Sequence, residues 1–199
     1  MRVFKFIILG LMAMTLVGCG INNIPTYDQA MKGQWGQVQN EYQRRSDLIP
    51  NLVETVKGYA AQEKDVLTAV VEARAKATSI QLSADIVNDP DKFAKYQAAQ
   101  GQLSQALGKL LSITENYPDL KSNQNFLALQ SQLEGSENRI AVARKDYIGA
   151  VQTYNTELVT FPGRLWASTL YASYKPAATF GADAGADKAP KVDFNKPKS

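Results

Sequence analysis

The chain has no histidine and only one cysteine in 199 residues. Without imidazole there is no base for Ser-His-Asp or Cys-His nucleophilic chemistry, and no Glu-x-x-His ligand set for a di-iron bundle. A lone cysteine cannot close an internal disulfide, so stability must come from packing. No glycine-rich phosphate loop occurs either; Trp35-Gly36 and Phe161-Pro162-Gly163 fit no nucleotide fingerprint. These gaps leave no sequence basis for a metal or a cofactor. Strong charge of one sign is also missing. The 22 basic and 19 acidic residues differ by +3, and two of the basic ones, Arg2 and Lys5, lie in an N-terminal segment expected to be removed. A nearly neutral mature chain gives no electrostatic case for nucleic-acid binding. The remaining catalytic option is a carboxylate pair, Glu134 and Glu137 on one helix face, but such pairs occur on most solvated helices. A protein that is not an enzyme is expected.

What is present begins with Cys19. Arg2 and Lys5 precede an apolar run from Phe6 to Val17, too short for the roughly 20 residues of a spanning helix, and the run ends in Leu16-Val17-Gly18-Cys19. This is the pattern of a lipoprotein export signal, in which residues 1–18 are removed and the Cys19 thiol is acylated. Two acyl chains, at about 0.8 kcal/mol per buried CH₂, anchor stably where one is marginal. The expected location is therefore the cell envelope, facing away from the cytoplasm. In a host with two membranes, Gly20 after the cysteine points to the inner leaflet of the outer membrane. Residues 19–25 would form a short tether.

From residue 26 to 175 the spacing predicts one all-α domain, an antiparallel up-and-down bundle of about four long helices with coiled-coil-like seams. The first stripe is Tyr27, Met31, Trp35, Val38, Tyr42, and Pro50 predicts a kink or a restart of that helix. A second seam runs from Ile49 through Val53, Val56, Ala60, Glu63, Leu67, Val70 and Arg74 to Ala77. A third includes Phe93, Tyr96, Gln100, Leu103, Leu107 and Leu110. The fourth runs from Phe126 through Leu133, Ile140 and Tyr147 to Leu158. Asp89-Pro90 is a capped start, and Tyr117-Pro118 a stop. The aromatic stretch Leu165, Trp166, Leu170, Tyr171, Tyr174 is expected to cap the bundle end, with a lipid or partner contact as the other reading. Residues 176–199 show no periodicity and are expected to be a disordered tail.

Charges that interrupt the seams are the candidate site residues. Glu63 and Arg74 fall on the second seam, and Glu137, Arg139 and Arg144 lie close to the fourth. Glu63 and Arg74 stand about 16 Å apart on one helix, too far to pair with each other, so each needs a partner from elsewhere. They read as interhelical ion pairs that fix register, or alternatively as the lining of a polar pocket. At the Pro50 elbow, Arg44, Arg45 and Lys57 form a possible surface for an envelope protein partner.

Particular strings carry a resemblance: Arg44-Arg45-Ser46-Asp47-Leu48-Ile49-Pro50-Asn51-Leu52-Val53, then Ala73-Arg74-Ala75, Glu137-Asn138-Arg139-Ile140-Ala141, Ala143-Arg144, Tyr154-Asn155 and Phe161-Pro162. In this order they resemble the LemA family of bacterial envelope proteins, over residues 20 to 180. The resemblance implies a four-helix bundle-like domain anchored at its N-terminus and facing away from the cytoplasm. Many members use a transmembrane helix where this chain has a lipidation pattern. It also implies a partner-dependent role and no established reaction, since family genes tend to sit beside those of other envelope proteins. One departure is visible: the family usually has Tyr-Asn where this chain has Tyr147-Ile148.

Overall fold

A computed structural model describes residues 20–80 and 84–181. The signal segment, Cys19 and residues 182–199, with the expectations attached to them, lie outside the described residues. The described chain forms α1 (Asn23–Tyr59), α2 (Lys64–Ser79), a 3-10 turn (Ala84–Asn88), α3 (Pro90–Thr114), α4 (Pro118–Lys121), α5 (Gln124–Val159) and α6 (Gly163–Ser168). All its regular structure is helical, and four of the helices, α1, α2, α3 and α5, are long.

The seams are inside as their spacing predicts. Along α5 the buried set is Phe126, Leu133, Ser136, Ile140, Ala143, Tyr147, Val151, Tyr154 and Leu158. Two N-termini are capped: the Asp89 carboxylate, as the sequence reads, accepts from the Lys92 amide at 3.1 Å, and Asn123 accepts from the Phe126 amide at 3.0 Å. Antiparallel pairing of α1 and α5 follows from Asn23 meeting Glu157 at one end and Arg45 meeting Glu137 farther along. α2 and α3 are likewise antiparallel, with Lys76 on Gln102 and Glu63 accepting from Tyr117.

Three expectations need correction. Of the two readings at Pro50, a kink or a restart, the restart is overturned: α1 runs unbroken through Pro50, and the break falls at Ala60–Glu63. Pro50 lacks the amide that the Ser46 carbonyl would normally accept from. Arg74 of α2 supplies the missing donor, its Nε lying 2.9 Å from the Ser46 oxygen. At Ala60 the break is held by tertiary contacts, because the Glu63 carboxylate accepts from the Tyr117 hydroxyl at 2.7 Å. The second correction concerns the tether: α1 starts at Asn23 and Ile24 is fully buried, so the folded domain begins before residue 26. Gly20 makes the entry turn with φ of 93°, a backbone region that suits glycine.

The third correction concerns the tail. Residues 176–181 are not detached: Ala177 and Phe180 are buried in the core. An extended strap is gripped here through its main chain. Asn155 accepts from the Ala177 amide at 2.8 Å and donates to its carbonyl at 3.0 Å. The Tyr154 hydroxyl donates to the Lys175 carbonyl at 3.0 Å, and Tyr147 to that of Ala178 at 2.7 Å. Phe180 enters an aromatic cluster with Trp35, Phe93 and Tyr147 at ring separations of 4.9–6.2 Å.

These pieces explain the architecture. α1 and α5 run the whole length, about 55 Å at the helical rise. Over one half they are covered by α2 and α3, giving an aliphatic core of Ile49, Leu52, Val56, Leu67, Leu103 and Leu110. Over the other half the cover is the 3-10 turn, the start of α3, the strap and the segment around α6, and the core there is aromatic. α6 approaches α5 closely at Gly163, where a Cβ would collide with the Glu157 carbonyl. Trp166, Tyr171 and Tyr174 pack against the aromatic core, so this segment caps the bundle end.

Burial raises the phenols of Tyr96, Tyr147 and Tyr154 above their ordinary value of 10.0. For Tyr154, burial and then the Asp28 and Tyr174 charges push it up to about 12. Since the folded state holds these protons more tightly, their contribution to stability is complete below pH 10 and is lost as pH rises past 10 through the folded values. The denaturation midpoint should be insensitive to these groups up to about pH 10 and fall above it. Absorbance at 295 nm should show late ionisation of these three among the nine tyrosines. A single wave near pH 10 with helicity intact would contradict this burial.

Candidate functional site

Between the two cores lies a polar layer to which every long helix contributes. Its centre is Arg45 of α1, only 1% exposed. One guanidinium nitrogen donates to Ser104 Oγ and to Glu137 Oε1, both at 2.7 Å, and another donates to Gln100 Oε1 at 2.6 Å. Tyr42 lies beneath, its ring centroid 5.1 Å from the guanidinium carbon. Ser46 and Ser136 are buried at the same level, and Arg74 reaches the layer from α2 through the Ser46 carbonyl. Most of the guanidinium's donors are satisfied within the protein, although Arg45 Nε has no partner among the described residues.

Beside this layer, α3 and α5 separate and leave a groove of about 570 Å³. The size is within the about 300–1,000 Å³ typical of small-ligand sites. Its floor is Tyr42 and Arg45; Gln97, Gln105 and the α3 backbone at Gly101 form one wall, and Glu137 and Arg144 the other. One end is closed by Gly181, whose carbonyl accepts from Gln97 at 3.1 Å. Charges here are unbalanced. Glu137 is committed to Arg45, while Arg144 stacks its guanidinium 4.4 Å from the Phe180 ring centroid and forms no ion pair among the described residues. Stacking on the ring leaves the N–H edges of Arg144 free for an acceptor.

The candidate residues therefore divide. Glu137 and Arg144 meet in the groove; Arg139 stands on another face of α5, paired with Glu41 at 3.0 Å. Glu63 is in the α1–α2 turn, and Arg74 serves the Pro50 site. Arg45 was expected on a partner surface at the Pro50 elbow with Arg44 and Lys57, and its burial removes it from that exposed surface and places it at the floor of the groove. Arg44 and Lys57 remain exposed, and Lys57 is 3.5 Å from Glu54 on its own helix. The carboxylate pair is split between Gln130, which holds Glu134, and Arg45, which holds Glu137. Among the described residues no cluster of Asp, Glu, His or Cys could hold a metal ion, and no helix is long and apolar enough to cross a membrane. Sequence reading missed Ser104 and Gln97, and it met Asn155 only within the Tyr154-Asn155 string, without its role as a clamp. Arg45 was legible as an interior position, since Met31, Trp35, Val38, Tyr42, Arg45, Ile49, Leu52 and Val56 form one continuous seam.

The class defined by these features is an all-α bundle with a charged, hydrogen-bonded waist and a polar groove beside it. The LemA family pattern matches residues 34–194, and this chain belongs to the LemA family. It is 25% identical over 157 residues to Magnetosome protein MamQ 2 of Paramagnetospirillum magneticum, covering 71% of this chain and 58% of that protein. It is 25% identical over 136 residues to Magnetosome protein MamQ of Magnetospirillum gryphiswaldense, covering 60% of this chain and 50% of the relative. Protein LemA of Metamycoplasma hominis is 24% identical over 124 residues, with coverage of 62% and 52%. The chain spans about half the length of these curated relatives.

Proposed function

We propose that this protein is a membrane-anchored, non-catalytic interaction module of the cell envelope. Acylated Cys19 holds it facing away from the cytoplasm, and the waist groove receives a segment of an envelope protein partner. In a host with two membranes, that anchor would lie in the inner leaflet of the outer membrane. The observation that carries this reading is the groove itself: an open cleft lined by amides, built on the bonded layer around Arg45, with Arg144 unpaired among the described residues. Its chemistry fits recognition, because amides and a stacked guanidinium bind polar groups without a nucleophile or base. Membership of the LemA family supports the envelope placement. Arg44 and Lys57 remain as a secondary contact.

Photo-crosslinking in native membranes tests the reading, with the full lipidated protein carrying a benzophenone amino acid at Gln105 on the groove wall or at exposed Val71 on α2. One recurrent envelope protein captured from Gln105 and not from Val71 is expected. The same pattern of adducts from both positions would remove the groove from the proposal. A small molecule captured from Gln105 in place of a protein would turn the reading into a ligand-binding module.

A further inference from the structure

Exposed apolar side chains gather at one end of the bundle. Val159, Phe161, Leu165 and Leu170 are 65%, 85%, 48% and 62% exposed, whereas the other exposed large hydrophobics are spread along α1, α2 and α5. Trp166, Tyr171 and Tyr174 of the same segment are packed inward, which fixes the segment and leaves its apolar neighbours pointing out. Four such side chains within residues 159–170 form a patch of the kind that marks an interaction site.

The N-terminus arrives at the same place. The Asn23 side chain donates to Glu157 at 3.1 Å, and a Cβ on Gly20 would stand 3.4 Å from the Pro162 ring. Gly20 is the residue after Cys19, so the proposed acylation point is one peptide link in sequence from the residue that meets Pro162. The charged residues between Thr160 and Pro176 are Arg164 and Lys175, both basic and both exposed. Aromatic and aliphatic tips flanked by basic residues suit the boundary between acyl chains and anionic headgroups.

We propose that this end of the bundle is a membrane-seating wedge: Val159, Phe161, Leu165 and Leu170 enter the bilayer surface beside the lipid on Cys19, with Arg164 and Lys175 at the headgroups. The inference rests on the lipid anchor of the proposed function. The wedge converts a flexible attachment into an oriented one. With the long helices standing away from the surface, Arg45 and the groove would lie about 33 Å above the bilayer, at the helical rise from Asn23.

The test uses the full lipidated protein reconstituted in phosphatidylcholine–phosphatidylglycerol vesicles with brominated acyl chains. Phe161→Trp is compared with Val71→Trp, with native Trp35 and Trp166 common to both. Both sites are exposed, and unchanged helicity confirms that each variant folds. Phe161→Trp should shift its emission to the blue on the vesicles and lose several-fold more fluorescence to bromine than Val71→Trp. Equal quenching would overturn the wedge. Vesicle flotation and the mass of the N-terminal peptide read the anchor separately. An acylated, floating protein with Phe161→Trp still in water would refute the wedge and keep the anchor. A protein without acyl mass that does not float would refute both.

Discussion

Arg45→Ala should be among the most damaging single substitutions in the bundle, lowering stability by about 3–5 kcal/mol. The side chain is 1% exposed and its guanidinium joins α1, α3 and α5 through Ser104, Gln100 and Glu137. Its removal opens a cavity and leaves the buried Gln100 side-chain oxygen without its donor, which costs more than the bond itself contributes. Glu137 is the control, since its side chain is 46% exposed and water can replace a lost partner. Glu137→Gln should cost about 1 kcal/mol or less. Arg45→Met, which refills the volume without charge, should recover part of the loss. Urea denaturation checks the order. A loss below about 1 kcal/mol for Arg45→Ala would mean that the waist does not tie the helices together.

That prediction starts from a residue whose interior position is readable from spacing but is obscured by Pro50. A proline signals a break, and breaking the stripe at Ser46 makes Arg44-Arg45 look like charges on an elbow. Local rules cannot foresee that Arg74, distant in sequence, donates to the orphaned Ser46 carbonyl and lets α1 continue. The opposite error occurs at Ala60–Glu63, where good helix formers give no stop signal and the turn depends on Tyr117. The seams of α3 and α5 were legible because burial on one side imposes a period. The groove was legible only in part. Glu137 and Arg144 stand out as charges near a seam, but the gap between α3 and α5 is a property of the assembly and leaves no trace in either helix.

The strap was invisible for a different reason, and it yields the second large effect. Side chains that bind main-chain groups impose no pattern on the segment they hold, so Pro176-Ala177-Ala178-Thr179-Phe180 reads as a low-complexity tail. Phe180 is nonetheless 7% exposed, with Trp35, Phe93 and Tyr147 around it and Arg144 against its ring. Phe180→Ala should cost about 3 kcal/mol or more, as for a buried phenylalanine elsewhere in a core. The loss need not take the whole bundle with it. Without the aromatic plug, the strap is left to its hydrogen bonds with Asn155, Tyr147, Tyr154, Gln97 and the Val87 carbonyl, and each contributes only about 1 kcal/mol net. Hydrogen exchange at the Ala177 and Ala178 amides should therefore quicken more than at the α5 core amides, and proteolysis within 175–181 should appear. Asn155→Ala should produce the same local release, because it removes both bonds to Ala177. If Phe180→Ala leaves both amides as protected as before, the ring merely fills space and the clamp suffices. If it unfolds α1 and α5 together, the strap is an inseparable part of the aromatic core, filling the place that a longer second helix would otherwise occupy.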